Sequence, residues 1–298
     1  MAVPTVSELG SIRDLIRFAV TRFSRAPLFF GHGQPDAFDE ACFLVLRHLR
    51  LPLDRTDFFL DARLSHDEVQ DLLGLIDRRV EQRLPAAYLI GEAWLQGYRF
   101  SVDARVIVPR SFIAELLKED LAPWIADAGA VTSILDLCTG SACLAIIAAD
   151  AFPNARVDAV DLSAEALQVA AQNVDEYGLQ ERIRLHRSDL FAALPSQRYD
   201  LILCNPPYVT ELAMSRLPGE YLHEPAAALV AGPDGLDIVR RVMAAAPQYL
   251  SPDGLLVVEV GDGRAEVERQ FPHLPFTWAS TSGGDDMVFV IGAQDLPS

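Results

Sequence analysis

Residues 133–149 read SILDLCTGSACLAIIAA. The opening apolar run, Ser133 to Leu137, has the length of a buried strand; small residues around Gly140 follow, and Cys143 to Ala149 suit an apolar helix. A strand that enters a helix through a tight small-residue turn brings backbone N–H groups and a helix N-terminus to a ligand. A dinucleotide fingerprint G-x-G-x-x-G needs three glycines, and this turn holds only Gly140, which disfavours a nicotinamide dinucleotide. From about residue 131 onward the strand-then-helix texture repeats. Further strands are expected at Arg156–Asp161, Ile183–His186, Leu201–Cys204, Leu255–Val260, Phe276–Ala279 and Met287–Ile291. Helices are expected around 165–177 and 235–250, and the last two strands form a terminal hairpin. The pattern implies an α/β fold with a mostly parallel sheet covered on both faces.

N-terminal to this region the periodicity is helical. Leu9, Ile12, Ile16 and Val20 recur every three or four residues, GHGQPD at 31–36 breaks the run, and a second stripe follows through Phe38, Cys42, Val45 and Leu49. Ser65 with Glu68 three residues on is a capping box before Val69, Leu72, Leu73 and Ile76. Gly97, Tyr98, Phe100 and Val102, then Val106 to Val108, predict a short hairpin, and PRSFIAELL returns to helix. The expected organisation is a helical domain over 1–90, a hairpin linker over 91–112 and an α/β domain over 113–298. Composition agrees: half of the 298 residues are hydrophobic and 22% charged, which is globular and excludes a disordered or collagenous chain. No apolar run reaches the roughly 18 residues of a membrane span, and MAVPTVSELG lacks a secretory pattern, so a cytoplasmic location is expected. Cys42, Cys138, Cys143 and Cys204 follow no C-x-x-C spacing, which argues against structural zinc and disulfide staples. The net charge of −17 is uneven: residues 1–90 carry 11 basic and 13 acidic side chains, leaving 14 and 29 for residues 91–298. That second part repels a phosphate backbone and attracts a basic partner.

The chemistry-bearing residues recur at the ends of the expected strands. Asp136 ends the first strand, suited to a positively charged or hydroxylated ligand group; Asp161 ends the second, where a carboxylate accepts from ribose hydroxyls. Asp189, in RSDLF, follows the third and suits an adenine amine, with Leu190 and Phe191 beside the ring. Any one of these aspartates alone reads as a helix cap; three in phase point to an adenosyl cofactor. The fourth strand runs into YDLILCNPPYV, residues 199–209. At ordinary proline usage, Asn205-Pro206-Pro207-Tyr208 arises by chance on the order of once in 10⁵ positions. Consecutive prolines remove backbone donors, so carbonyls face the site without competing N–H groups. Such a site fits a planar NH₂ group: the Asn205 side-chain oxygen and the Pro206 carbonyl accept its two hydrogens, while Tyr208 packs behind the nitrogen.

In the order DLCTGSACLA, VDLS, SDLF and NPPYV, with a helical domain and hairpin linker ahead of them, nearly the whole chain resembles the HemK-type methyltransferases. That resemblance implies methyl transfer from S-adenosylmethionine to a glutamine amide. It also implies a seven-stranded Rossmann-like class I methyltransferase sheet in the order 3-2-1-4-5-7-6, a small N-terminal helical domain for substrate recognition, and no metal. Asn205, Pro206, Pro207 and Tyr208 become the catalytic set. Asp136, Cys138, Thr139, Gly140, Ser141, Ala142, Asp161, Leu162, Asp189, Leu190 and Asn205 become the cofactor set. Pro109 and Arg110 join Asn205, Pro206 and Tyr208 as substrate contacts. Within the family, VIVPRSFIAELL, with Glu115 six residues after Pro109, is similar to the branch that methylates protein three of the large ribosomal subunit. The partner so implied is that basic protein, free or in an assembling particle, with no membrane and no nucleic-acid substrate. Two positions depart from the family pattern: Ala142 stands where the turn often has Gly, and Phe112 where the linker often has Pro.

Rival readings share the chemistry. The release-factor branch differs in the linker. A nucleic-acid adenine methyltransferase also binds a planar NH₂, but the chain has one lysine, Lys118, and no basic stripe. A ribosome-assembly binding factor without turnover would not need Asn205 to Tyr208. His186 and His223 read as surface or packing residues, and Glu224 and Glu259 as supporting carboxylates.

Overall fold

The computed structural model describes residues 9–297; residues 1–8, which hold most of MAVPTVSELG, and residue 298 lie outside it. The chain divides into two compact units. One runs to Ala93 and takes in Pro218–His223; the other comprises Trp94–Leu217 and the chain from Glu224 onward.

The first unit is helical. In α1 (Ile12–Arg25) Ser11 and Asp14 form a reciprocal capping box, and α2 (Ala37–His48) starts at Asp36, whose carboxylate accepts from the Phe38 and Asp39 N–H groups. A single turn, α3 (Thr56–Phe59), precedes α4 (His66–Gln82), where Ser65 and Glu68 make the expected capping box, and α5 (Ala86–Ile90) ends on Gly91 at φ +80°. Leu15, Phe23, Leu44, Leu72 and Ile76 fill the core. The stripe expected on α2 is met at Val45, which is buried, and at Cys42 and Leu49, which pack against the core, but not at Phe38, which is 58% exposed. The helix also buries Ala41, Phe43, Leu44 and Leu46, so its apolar surface is wider than that series. A buried ion network completes this unit: Arg79 reaches Glu40 (2.5 Å) and Glu220 (3.0 Å), and Arg83 reaches the other oxygen of Glu220 (2.5 Å). Burial pushes the Glu40 carboxyl up despite Arg79.

A two-stranded ribbon follows, β1 (Glu92–Leu95) and β2 (Tyr98–Ser101). Gln96 (φ +49°) and Gly97 (φ +84°) both sit in the left-handed region, as a two-residue type I′ turn requires. The hairpin therefore lies earlier than its expected course. Val106–Val108 are not a strand, because the chain turns at 103–106, where the Val106 N–H donates to the Asp103 carbonyl.

The second unit contains α6 (Ile113–Lys118), β3 (Ser133–Leu137), α7 (Cys143–Ala151), β4 (Arg156–Asp161), α8 (Ala164–Glu176), β5 (Ile183–Arg187) and β6 (Tyr199–Cys204). After these come α9 (Glu211–Met214), α10 (Asp237–Tyr249), β7 (Leu250–Glu259), α11 (Arg264–Gln270), β8 (Thr277–Trp278) and β9 (Val288–Gly292). Seven strands form one sheet in the order β5-β4-β3-β6-β7-β9-β8, which numbered along the sheet is 3-2-1-4-5-7-6. The first five run parallel; β9 is antiparallel to both β7 and β8. β9 is buried at all five positions, which requires cover on both faces. The polar-bounded apolar runs place β3 and β4 to the residue, whereas β6 and β7 start earlier than expected and α11 lies outside the expected helices. No helix among the described residues is long and apolar enough to cross a membrane.

Candidate active site

The strand order reverses at β3 and β6, so their C-terminal ends lie side by side, with Leu137 opposite both Val160 and Cys204. Open α/β sheets bind ligands at such a switch point. The turn after β3 is tied down on every side. Thr139 N–H donates to the Val160 carbonyl (2.9 Å), Gly140 N–H to Asp161 Oδ2 (2.9 Å), and Asn173 Nδ2 to the Ser141 carbonyl (2.9 Å). Cys138, Gly140 and Ala142 take φ of +60°, +56° and +64°. Ala142 thus occupies a left-handed position that glycine adopts without strain, and it carries a methyl there.

Asp136 is fully buried beneath this turn. Its Oδ2 accepts from Thr139 Oγ1 (2.5 Å) and from the Ala145 N–H (3.2 Å), an otherwise uncapped first-turn donor of α7. Its Oδ1 is buried with no hydrogen-bond partner among the described residues. Burial pushes its carboxyl up to about 7, against the Thr139 and Ala145 hydrogen bonds. Asp161 accepts from Ser163 N–H through Oδ1 (2.8 Å) and from Gly140 N–H through Oδ2, and burial raises its carboxyl as well. Beside it Leu162 is 64% exposed. Asp189 is differently placed: its carboxylate is half-exposed and paired with Arg241 at 2.8 Å. Leu190 (φ +52°) is buried in the core, and Phe191 stacks on Tyr249 with centroids 4.5 Å apart. An unpartnered buried oxygen, a second carboxylate at a strand end and an exposed leucine beside it fit a cationic, hydroxylated, partly apolar molecule such as S-adenosylmethionine.

Asn205 leaves β6 directly. Its Nδ2 donates to the Arg110 carbonyl (3.2 Å), and since a carbonyl only accepts, this orients the amide and leaves Oδ1 as an acceptor. Pro206 is buried, and Pro207 and Tyr208 are half-buried. The Tyr208 hydroxyl donates to Glu259 Oε1 (3.3 Å). The Pro109-Arg110-Ser111 segment is held by two buried carboxylates. Glu224 accepts from the Val108 N–H (2.9 Å) and makes a two-pronged ion pair with Arg110 (2.6 and 2.5 Å), while Glu259 Oε2 accepts from Ser111 Oγ (2.6 Å) and the Phe112 N–H (2.9 Å). Phe112 rests its ring over Gly283, where a Cβ would stand 2.3 Å from it, and Glu115 accepts from the Ser282 N–H (2.8 Å). The structure thus joins linker and NPPY segment through one hydrogen-bond network.

Comparison with known proteins bears on the family and the fold. Residues 114–234 match the family described as the methyltransferase small domain. A relative from Burkholderia pseudomallei, named ribosomal protein uL3 glutamine methyltransferase, is 57% identical over 295 residues, covering 97% of this chain and 96% of its own. A relative of the same name from Neisseria meningitidis serogroup B is 52% identical over 289 residues, covering 97% and 95%. The chain belongs to the ribosomal protein uL3 glutamine methyltransferase family. Among solved structures, the hMettl16 catalytic domain in complex with the MAT2A 3'UTR hairpin 1 aligns with a TM-score of 0.51 at 17% identity, over 78% of this chain and 83% of that one. At that identity the likeness concerns the fold alone, a class I methyltransferase sheet.

For this uL3 glutamine methyltransferase family member, several residues near the site carry no local sequence signal. Gly261 belongs to no motif, and Ser111, though inside the linker motif, shows nothing in the sequence of its bond to Glu259. Glu224 and Glu259 stand out in the sequence as carboxylates, but their partners in the linker lie more than a hundred residues away along the chain. His186 pairs with Asp158 (2.7 Å), and His223 bonds the Gln82 carbonyl (2.9 Å), so both are engaged in packing contacts.

Proposed function

We propose that this chain transfers a methyl group from S-adenosylmethionine to the side-chain amide nitrogen of a glutamine in ribosomal protein uL3, protein three of the large subunit. The observation that carries this reading is kinship with uL3 glutamine methyltransferases over 97% of the chain. The 29 acidic against 14 basic side chains of residues 91–298 favour such a basic partner. The motif order supports a HemK-type enzyme working in the cytoplasm, with the helical unit as its substrate-recognition part.

The methyl donor would be held by Asp161, Asp136 and the 138–142 turn, with Leu162 against its apolar surface and Leu190 and Asp189 at the adjoining strand end. When bound, S-adenosylmethionine supplies an electrophilic methyl on a sulfonium. An amide nitrogen is a weak nucleophile because its lone pair is delocalised, so the protein's task is positioning. The Asn205 Oδ1 and the Pro206 carbonyl accept the two amide hydrogens, which orients the nitrogen and stabilises positive charge growing on it. Pro206 and Pro207 offer no N–H to compete for those acceptors. Tyr208 supplies a flat face behind the nitrogen, and Pro109 and Arg110 border the entrance. No strong base is required, because an alkylated, protonated amide is acidic enough to release its proton to water.

The test is transfer from labelled S-adenosylmethionine, with isolated uL3, immature large-subunit particles, a release factor and DNA offered in parallel and the label mapped by mass spectrometry. Label on a uL3 glutamine is expected. Asn205→Ala is expected to abolish it while calorimetry still shows cofactor binding. Label confined to the release factor or to DNA would overturn the assignment.

A further inference from the structure

Tyr208 is held from three directions by groups that no motif marks. Its hydroxyl donates to Glu259 Oε1 at 3.3 Å. The edge of its ring lies over Gly261, which takes φ +52° and where a Cβ would stand 2.8 Å from Cε2. Its own carbonyl oxygen lies against Gly235, where a Cβ would stand 2.4 Å away. Glu259 and Gly261 belong to one short run, VEVGDG at 258–263, that leaves β7 beside β6. Glu259 is buried, a placement that costs free energy for a carboxylate unless several donors compensate it. Three do: Ser111 Oγ and the Phe112 N–H on one oxygen, the Tyr208 hydroxyl on the other.

We infer that Glu259 is a positioning residue for methyl transfer, gripping Tyr208 by its hydroxyl and clasping the linker at Ser111 and Phe112, with Gly261 against the edge of the ring. This rests on the reading of NPPY as the site of the acceptor amide. A ring that serves only as bulk does not need its hydroxyl engaged; a ring that must stay stacked behind a weak nucleophile gains from a fixed tilt. The chemistry also favours Glu over Gln. A glutamine oxygen can accept from Ser111 and Phe112 together, but its NH₂ then faces Tyr208, whose hydroxyl must accept instead of donate.

That asymmetry supplies the test. Glu259→Gln keeps the clasp on the linker and reverses the bond to Tyr208. We expect kcat with uL3 to fall about tenfold, because the Tyr208 hydroxyl exchanges a charge-assisted bond for a neutral one of opposite direction, with KM little changed. Affinity for S-adenosylmethionine by calorimetry and the thermal midpoint are expected to stay at wild-type values. Tyr208→Phe should lower kcat comparably, and adding Glu259→Gln to it should change kcat by less than about twofold, since the two act through one bond. Wild-type kcat in Glu259→Gln, losses that multiply in the double variant, or a loss that tracks cofactor affinity or unfolding would each overturn the inference. Absence of uL3 methylation by the wild-type protein would instead overturn the underlying reading, and this inference with it.

Discussion

Replacing Asp136 by Asn should make the second unit more stable at neutral and alkaline pH while weakening its hold on the cofactor. The fully buried carboxyl is pushed from its ordinary 3.8 to about 7, chiefly by desolvation. The folded state therefore keeps a proton that the unfolded state releases near pH 4. Stability from this group is complete below the unfolded value and is lost as pH rises through the folded one. Each tenfold change in proton affinity is worth about 1.4 kcal/mol, so wild type forfeits about 4 kcal/mol between roughly pH 4 and pH 8, and nothing further above that. Asp136→Asn retains an oxygen for Thr139 and Ala145 and has no charge to desolvate. The three tryptophans, Trp94, Trp124 and Trp278, all lie in the second unit, so urea unfolding followed by their fluorescence reports on it. The stability difference, variant minus wild type, should climb from about pH 5 to pH 7 and level by about pH 8. A difference independent of pH, or one that shrinks as pH rises, would refute the reasoning. The buried Oδ1, without a hydrogen-bond partner among the described residues, is an acceptor open to a ligand group. If it meets a cationic group of the cofactor, the variant should bind S-adenosylmethionine roughly 10- to 100-fold more weakly at pH 8, as loss of a hydrogen bond between charged groups implies.

Three other substitutions separate the parts of the molecule. Asp161→Ala should raise the calorimetric Kd for S-adenosylmethionine at least about tenfold, because it removes the strand-end carboxylate and the acceptor that holds Gly140 N–H; unchanged affinity would refute that role. Gly261→Ala places a methyl at φ +52° and 2.8 Å from the Tyr208 ring, so we expect a loss of about 1–2 kcal/mol in urea unfolding together with lowered kcat; wild-type values of both would show that the ring yields freely. Arg79→Met leaves Glu40 and Glu220 buried without their shared cation. It should destabilise the helical unit by about 3–5 kcal/mol by circular dichroism melting, and a loss below about 1 kcal/mol would refute the network's importance.

What is legible in the sequence is what is local. β3 and β4 can be bounded to the residue because each is a buried run that stops near a carboxylate marking the sheet edge, and the Ser65–Glu68 capping box announces α4 within four residues. Ala142 shows the limit: its residue type departs from the family pattern in plain view, but only the backbone reveals that it sits at φ +64°. The α2 stripe reaches the core through Cys42, Val45 and Leu49 but leaves Phe38 exposed, because only the neighbouring elements decide how far the buried face extends. Nothing near residue 218 signals that Glu220 completes an ion network with Arg79 and Arg83 of the helical unit.

The same contrast explains the supporting shell of the site. Pro109, Pro206 and Pro207 strip donors from two loops, and that is visible in the sequence as the requirement for bare carbonyls around an NH₂ group. The N–H groups that remain nearby, on Val108 and Phe112, have no strand partner, and a buried donor left unpaired is costly. The sequence states this demand without naming the supplier. Glu224 and Glu259 meet it from 116 and 147 residues away, and each then turns its remaining acceptor capacity to side chains, Arg110 in one case, Ser111 and Tyr208 in the other. A carboxylate suits the place because it accepts several bonds at once, which an amide or hydroxyl there cannot do without adding a donor of its own. The residues proposed to touch the reacting groups are therefore readable from a motif, whereas those that hold them still become visible only when the sheet brings the ends of β6 and β7 together.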